Sequence, residues 1–121
     1  MKCPCNPENL YKNCCKKAHL NIQSVTSAEA LMRSRYSAFV LANVEYLQLS
    51  HYSSTRPSNK EKKEIFRWTK SVEWLKLEVI NSTENTVEFK AFFIEDREIN
   101  VIHENSFFTK ENKHWVYVKE K

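Results

Sequence analysis

The sequence predicts an α+β fold, with helices in the first half of the chain and an antiparallel sheet in the second half. Between residues 26 and 70 apolar side chains recur at helical spacing, whereas from residue 74 onward they alternate with polar side chains. Helices followed by a run of strands are typical of a sheet that carries its helices on one face. The 121 residues are enough for one such domain and a small appendage.

Three helices are expected before the sheet. The first begins at a capping box, Thr26-Ser27-Ala28-Glu29, and presents one apolar face. Asn43 caps a short second helix, and residues 60–70 form an amphipathic third helix. Because this pattern starts near Thr26, the main core is expected to fold without residues 1–17.

Four strands are expected after the helices, around residues 74–80, 87–93, 99–108 and 114–118. Turn-like segments at 81–85, 95–98 and 110–113 join them as hairpins. The chain contains no glycine, so these turns must use Asn, Asp, Ser or Pro, or longer loops.

The charge distribution argues against nucleic-acid binding as the main function. The net charge is +4, but residues 60–64 mix lysines with glutamates, which is typical of a solvated helix face. No apolar run is long enough to span a membrane, and the N-terminus lacks the apolar stretch of a signal peptide. A cytoplasmic protein with reduced thiols is therefore expected.

All four cysteines lie in the first fifteen residues, which indicates one local site rather than a disulfide framework. Thiolates from Cys3, Cys5, Cys14 and Cys15 can surround one soft ion at about 2.3 Å. Zinc is the usual ion for four thiolates, and iron also accepts them. Such a closed site has no open position for a substrate, so it is structural or partner-binding rather than catalytic.

Other interpretations of the cysteines remain open at this point. They are crossed disulfides after oxidation, four surface thiols without a metal, and a thiol-redox role. His19 could replace one sulfur ligand. Asn6 is expected to cap a helical turn that carries the chain back toward Cys14.

Several motifs resemble known families. Cys3-Pro4-Cys5, Tyr11 and Cys14-Cys15 resemble the SEC-C motif, the zinc-binding tail of the SecA translocation ATPase. The stretch from Leu31 to Phe39, with its Arg-Ser-Arg-Tyr run, resembles the signature of the uncharacterised YchJ-like family. Three further segments also match this family: Ser54-Thr55-Arg56-Pro57, Glu73-Trp74-Leu75 and Trp115-Val116-Tyr117-Val118.

The resemblance implies two parts. Residues 1–20 are expected to form a SEC-C-like metal-binding segment, called the knuckle below. Residues 24–121 are expected to form an NTF2-like (cystatin-like) domain, whose N-terminal helices pack on a curved antiparallel sheet around a conical pocket. The chain departs from the usual SEC-C pattern after Cys5, where Asn6-Pro7-Glu8-Asn9-Leu10 replaces a Gly-Ser-Gly-Lys run.

An arginine inside the apolar stripe of the first helix suggests a pocket. Arg35 needs an acidic partner or a route to water, because its charge cannot be shed. Glu104 and Glu29 are candidate partners, and His103 could add hydrogen bonds. Together with Tyr36, Arg35 and Glu104 would then form a pocket for a small anion or a peptide carboxylate. The alternative is that the Arg35 guanidinium reaches water over a buried stem.

The function expected from the sequence is that of a cytosolic metal-binding accessory or adaptor protein of the YchJ-like type. The knuckle would bind a protein partner and link the chain to protein export or nascent chains. The alternative is a small-molecule-binding or catalytic NTF2-like domain with a purely structural knuckle. Glu104, His103 and Tyr36 could carry proton transfer, but no motif fixes their geometry, so an enzyme is not the expected function. His51 and His114 are expected at the surface.

Overall fold

A computed structural model describes residues 1–121. The knuckle contains a hairpin of two short strands, followed by a 3-10 turn and a short helix. Their bounds are β1 (Lys2–Cys3), β2 (Asn6–Leu10), the 3-10 turn Tyr11–Asn13 and α1 (Cys15–Leu20). The hairpin and the helix bring the two cysteine pairs to one side of the segment.

The helical turn predicted after Asn6 is wrong, because this stretch is a strand. The Oδ1 atom of Asn6 accepts a hydrogen bond from the backbone nitrogen of Glu8 at 3.0 Å. This local bond closes a small turn, and the chain then continues extended as β2, paired with β1. The short helix α1 begins only at Cys15, the second residue of the Cys14-Cys15 pair.

Three helices follow, and their starts agree closely with the sequence prediction. They are α2 (Ala28–Val40), α3 (Val44–Leu49) and α4 (Asn59–Ser71). The cap of α2 is Ser27 rather than Thr26, since the Ser27 side chain accepts a hydrogen bond from the nitrogen of Ala30. Asn43 caps α3 as predicted, and a reciprocal capping box between Ser58 and Glu61 starts α4.

The second half of the chain forms one antiparallel sheet in the order β3-β4-β5-β6. Its strands are β3 (Glu73–Ser82), β4 (Thr86–Glu95), β5 (Glu98–Glu111) and β6 (His114–Glu120). Each strand pairs with the next along the chain, as successive hairpins require. Irregularities in register within β3 and between Phe107 and Phe108 add the local bend and twist that curve a sheet.

Two tight hairpin turns form without glycine. Asp96 and Arg97 have φ values of 52° and 67°, and Asn112 and Lys113 have φ values of 54° and 69°. Positive φ at both central residues is the geometry of type I′ turns, which match the twist of antiparallel strands. Asp and Asn tolerate this region, whereas Arg97 and Lys113 adopt it at a steric cost.

The core lies between the helices and the sheet, which confirms the predicted α+β class. Leu31 and Ala38 of α2 are fully buried, and they belong to the same apolar cluster as Val87 and Phe108 of the sheet. None of the helices combines the length and the apolar character needed to cross a bilayer.

The knuckle shares this core with the rest of the chain. Ala18 of the knuckle belongs to the main apolar cluster, as do Ile22 and Val25 just after it, and three of the cysteines form a second cluster with Tyr36 and Ala91. The division of the chain into a knuckle, residues 1–20, and an NTF2-like domain, residues 24–121, therefore stays a prediction from the sequence. The packing shows that removing the knuckle would expose apolar surface on α2 and β4.

Candidate functional site

The four cysteine sulfurs converge at one place in the knuckle. The four Sγ atoms all lie within 4.8 Å of one another. The Sγ atom of Cys5 is 3.7 Å from that of Cys3 and 3.6 Å from that of Cys14. Cys3, Cys5 and Cys15 are buried, and Cys14 is half-buried.

These distances fit a single tetrahedral ion. Metal–sulfur bonds of about 2.3 Å in a tetrahedron place neighbouring sulfurs roughly 3.8 Å apart, close to the two contacts of Cys5. A disulfide would need the sulfurs about 2.05 Å apart. The donor set and its spacing therefore suit one thiophilic cation held by Cys3, Cys5, Cys14 and Cys15.

The electrostatics of the four cysteines also favour a bound cation. A hydrogen bond from Cys15 is the main factor that lowers the pKa of Cys5 to about 5. The same hydrogen bond is the main factor that raises the pKa of Cys15, and desolvation raises that of Cys14 to about 11. One thiolate is thus stabilised by its neighbours, whereas further thiolates would repel it. A bound cation would remove that repulsion.

Residues of α2 hold the backbone of the knuckle. Arg33 donates a hydrogen bond from Nη1 to the carbonyl oxygen of Cys5 at 3.3 Å, and its Nε pairs with Glu29 at 3.0 Å. The Sγ atom of Cys15 lies 3.5 Å from the carbonyl oxygen of Arg33, and Ser37 Oγ lies 3.7 Å from the sulfur of Cys3. These contacts orient the cysteines from outside the sulfur cluster.

His19 supports the knuckle through both ring nitrogens and is not placed as a metal ligand. The carbonyl oxygen of Ser34 can only accept, so Nε2 of His19 donates to it, at 2.8 Å. Nδ1 then accepts from the hydroxyl of Tyr11, at 2.6 Å. Burial lowers the pKa of His19, in keeping with this neutral tautomer. The alternative in which His19 replaces a sulfur finds no support in this geometry.

Sequence reasoning assigned no role to Arg33, Ser34 or Tyr11 in supporting the cysteines. The spacing of Glu29 and Arg33, four residues apart on one helix, was the available signal for an ion pair on α2. The contacts that cross from α2 to the knuckle join residues 15 to 34 positions apart, which no local pattern reveals.

A second feature is a cavity of ≈ 270 Å³ between α2, α3, α4 and the sheet. Its lining includes three of the four residues proposed for the pocket: Arg35, Tyr36 and Glu104. Arg35 donates from Nη1 to the carbonyl oxygen of Leu47 at 2.9 Å and to Ser50 Oγ at 2.8 Å. Its guanidinium also lies over the ring of Tyr117, 4.9 Å from the ring centre.

The remaining predicted contacts are different in the structure. Arg35 and Glu104 share the cavity but form no ion pair, and Glu104 instead accepts a hydrogen bond from Ser106 at 3.3 Å. Desolvation raises the pKa of Glu104. His103 lies outside the cavity and pairs with Glu88 at 2.7 Å. The reason is the alternation of β5, which turns His103 to the sheet face opposite Glu104.

Two histidines expected at the surface are not fully exposed. His51 lines the cavity, where burial and then the charge of Arg35 lower its pKa to about 4. His114 is buried at the start of β6. A bridge between His51 and Tyr117 brings the loop after α3 to the last strand, a contact that local sequence does not indicate.

Comparison with known proteins identifies a matching family model and similar proteins in other bacteria. Residues 27–120 match the family model described as "YchJ, middle NTF2-like domain". A UPF0225 protein of Vibrio parahaemolyticus is 38% identical over 122 residues, covering 96% of this chain and 72% of the relative. A UPF0225 protein of Shewanella sp. (strain MR-4) is 35% identical over 130 residues, covering 97% of this chain and 78% of the relative.

Two solved structures have the same fold. A SEC-C motif containing protein from Psychrobacter arcticus superposes with a TM-score of 0.81 at 31% identity, covering 98% of this chain and 81% of that one. A SEC-C motif containing protein from Rhodopseudomonas palustris superposes with a TM-score of 0.85 at 28% identity, covering 100% of this chain and 98% of that one.

Proposed function

We propose a function from one premise: this chain belongs to the YchJ family, in which a SEC-C motif accompanies an NTF2-like domain. On that premise it is a metal-binding accessory protein that holds one zinc ion in the knuckle and offers the outer surface of the knuckle to a protein partner. The proposed ligands are Cys3, Cys5, Cys14 and Cys15. The proposed compartment is the cytoplasm, where thiols stay reduced.

The observation that carries the metal proposal is the convergence of four sulfurs within 4.8 Å on a segment of fifteen residues. With four sulfur ligands the ion has no open coordination position, so its role is structural. Because Cys3, Cys5 and Cys15 pack against Tyr36 and Ala91, metal binding would stabilise the contact between the knuckle and α2. Zinc is proposed because four thiolates are its usual structural ligand set, and iron is the competing ion.

The partner proposal is supported by the contrast between the two sides of the knuckle. The cysteines face α2, whereas the segment from Pro7 to Leu10 is exposed. Lys2, Lys12, Lys16 and Lys17 are also exposed, against one exposed glutamate in this segment. A basic surface around a rigid metal core suits an acidic protein surface, and the proposed one belongs to a protein on ribosomes that carry nascent export substrates.

The test separates the metal from the partner. Elemental analysis of protein purified under reducing conditions should give one zinc per chain, and Cys14→Ser should lower this content. Co-sedimentation should then show the metal-loaded protein with ribosomes that carry a nascent export-signal chain.

The matched control is a variant with Lys12→Glu, Lys16→Glu and Lys17→Glu, which leaves every cysteine in place. This variant should keep its zinc and lose ribosome binding. Equal binding by this variant or by the metal-free chain would reject the adaptor role and leave the metal site standing. A protein without metal would reject the metal site itself.

A further inference from the structure

We propose that the cavity between the helices and the sheet binds a small carboxylate with an apolar body, held by Arg35. The cavity measures ≈ 270 Å³, and 12 of its 17 lining residues are hydrophobic. A mostly apolar cavity with a few convergent polar groups is the usual form of a small-molecule site. This site is separate from the metal cluster and does not depend on the adaptor role.

The free edge of the Arg35 guanidinium provides the recognition element. Its protein hydrogen bonds use Nη1 alone, to Leu47 and Ser50. Nε and Nη2 have no acceptor in the protein, and the only fully buried side-chain polar atom without a partner is Oδ1 of Asn105. Those two nitrogens are therefore not fully buried, and Arg35 is one of the residues that line the cavity. Side by side, they form the edge that binds both oxygens of a carboxylate.

Arg35 forms no ion pair with a carboxylate of the protein. Its hydrogen-bond partners are a carbonyl and a hydroxyl, and no carboxylate lies within ion-pair distance. Burial lowers the pKa of Arg35 to about 10, so the group is still a cation at neutral pH. A cation among apolar walls is costly without an anion, and a ligand carboxylate would supply that anion.

Glu104 restricts which anion fits. It lines the same cavity as Arg35 and is stabilised by Ser106 rather than by the guanidinium. A second negative charge on the ligand would be repelled by the Glu104 carboxylate in these low-dielectric surroundings. The site therefore suits a monocarboxylate better than a dicarboxylate or a phosphate.

The walls define the body of the ligand. Seven of the 17 lining residues are Phe, Trp or Tyr, among them Phe39, Trp68, Trp74 and Tyr117. A cavity of ≈ 270 Å³ has room for a small aromatic acid of about nine or ten non-hydrogen atoms. Benzoate and phenylacetate are therefore suitable probes.

The experiment is calorimetric titration of the metal-loaded full chain with benzoate, phenylacetate, benzyl alcohol and inorganic phosphate. The two carboxylates should bind, and the alcohol and phosphate should bind at least about ten-fold more weakly, the usual effect of losing a charged hydrogen bond. Arg35→Met keeps the apolar stem and should weaken carboxylate binding by a similar factor. Arg67→Met, on the exposed face of α4, should leave it unchanged.

A second variant tests the cavity without touching the charge. Ile102 lines the cavity, and Ile102→Phe should fill part of its volume and weaken phenylacetate binding, even if Arg35→Met fails to fold. Failure of both carboxylates to bind the wild type would overturn the proposal. So would equal binding of benzyl alcohol, tighter binding of phosphate, or binding that Ile102→Phe leaves unchanged.

Discussion

His19 of the knuckle donates a hydrogen bond from Nε2 to the backbone carbonyl oxygen of Ser34 in α2, over 2.8 Å. The ring also packs against Tyr46, with ring centres 4.6 Å apart. A neutral imidazole thus links the knuckle to α2 by a polar contact and to α3 by an aromatic contact. Such contacts explain the YchJ-type run Arg33-Ser34-Arg35-Tyr36, because each of its residues contacts the knuckle or lines the cavity.

The buried state of His19 predicts a direct pH effect. Burial lowers the pKa of His19 in the folded chain below about 6.5, the usual value that the unfolded chain keeps. At a pH between the folded and the unfolded pKa, the unfolded chain therefore binds a proton that the folded chain does not. The free energy of unfolding should therefore decrease as the pH falls below about 6.5. Proton NMR titration of the histidine rings should give His19 a midpoint below 6.5. A midpoint at or above that value would contradict the neutral tautomer.

Deletion of residues 1–17 should destabilise the rest of the chain. The sequence pattern suggested independent folding from Thr26 onward, but the deletion removes the cysteines that cover Tyr36 and Ala91. We expect a loss of several kcal/mol, roughly 3–5, similar to the removal of a large buried side chain. Urea unfolding of the deleted and intact chains measures this difference. Equal midpoints and slopes for the two chains would show that the knuckle contributes nothing to the core.

Arg35 should be coupled energetically more strongly to Ser50 than to Glu104. The Ser50 hydroxyl is fully buried and accepts a hydrogen bond from Arg35, so Ser50→Ala should cost about 1–3 kcal/mol. A double-mutant cycle with Arg35→Met and Ser50→Ala should give a clear coupling energy, whereas the cycle with Glu104→Gln should give a smaller one, because Arg35 and Glu104 interact only through space. A large Arg35–Glu104 coupling would restore the ion pair that the sequence suggested.

Lys113→Gly should stabilise the protein. Lys113 has a φ of 69° at the second central position of a type I′ turn after Asn112, where glycine is preferred. Relief of the steric cost should exceed the entropic cost of glycine, which gives a gain of roughly 0.5–1 kcal/mol. Thermal unfolding measures it. Lys119→Gly, within β6, is the control and should destabilise, so a loss of stability at both positions would contradict the turn assignment.

The sequence predicted the architecture because the periodicity of apolar residues is a local signal. Alternation from Trp74 onward identified all four strands and their turns. The Asn6 prediction failed because the same side chain that caps a helix also closes a turn before a strand. His103 and Glu104 were both assigned to the pocket, although adjacent residues of a strand face opposite sides.

The residues of the candidate sites also fall into those that the sequence could predict and those that it could not. The cysteines could be grouped from sequence because they are neighbours in the chain, and the structure brings their sulfurs together. The supporting contacts of Arg33 and His19 could not be predicted, since they depend on how α2 packs against the knuckle. His51 was missed for the same reason, because its place in the cavity depends on contact with Tyr117.

X-ray absorption spectroscopy at the metal edge, on protein purified under reducing conditions, tests the central claim most directly. The claim is that Cys3, Cys5, Cys14 and Cys15 hold one ion in a closed tetrahedral site. The predicted result is a single shell of four sulfur atoms at about 2.3 Å, with no nitrogen or oxygen ligand. A shell with fewer sulfurs and added nitrogen or oxygen, or a reduced protein that binds no metal, would contradict it.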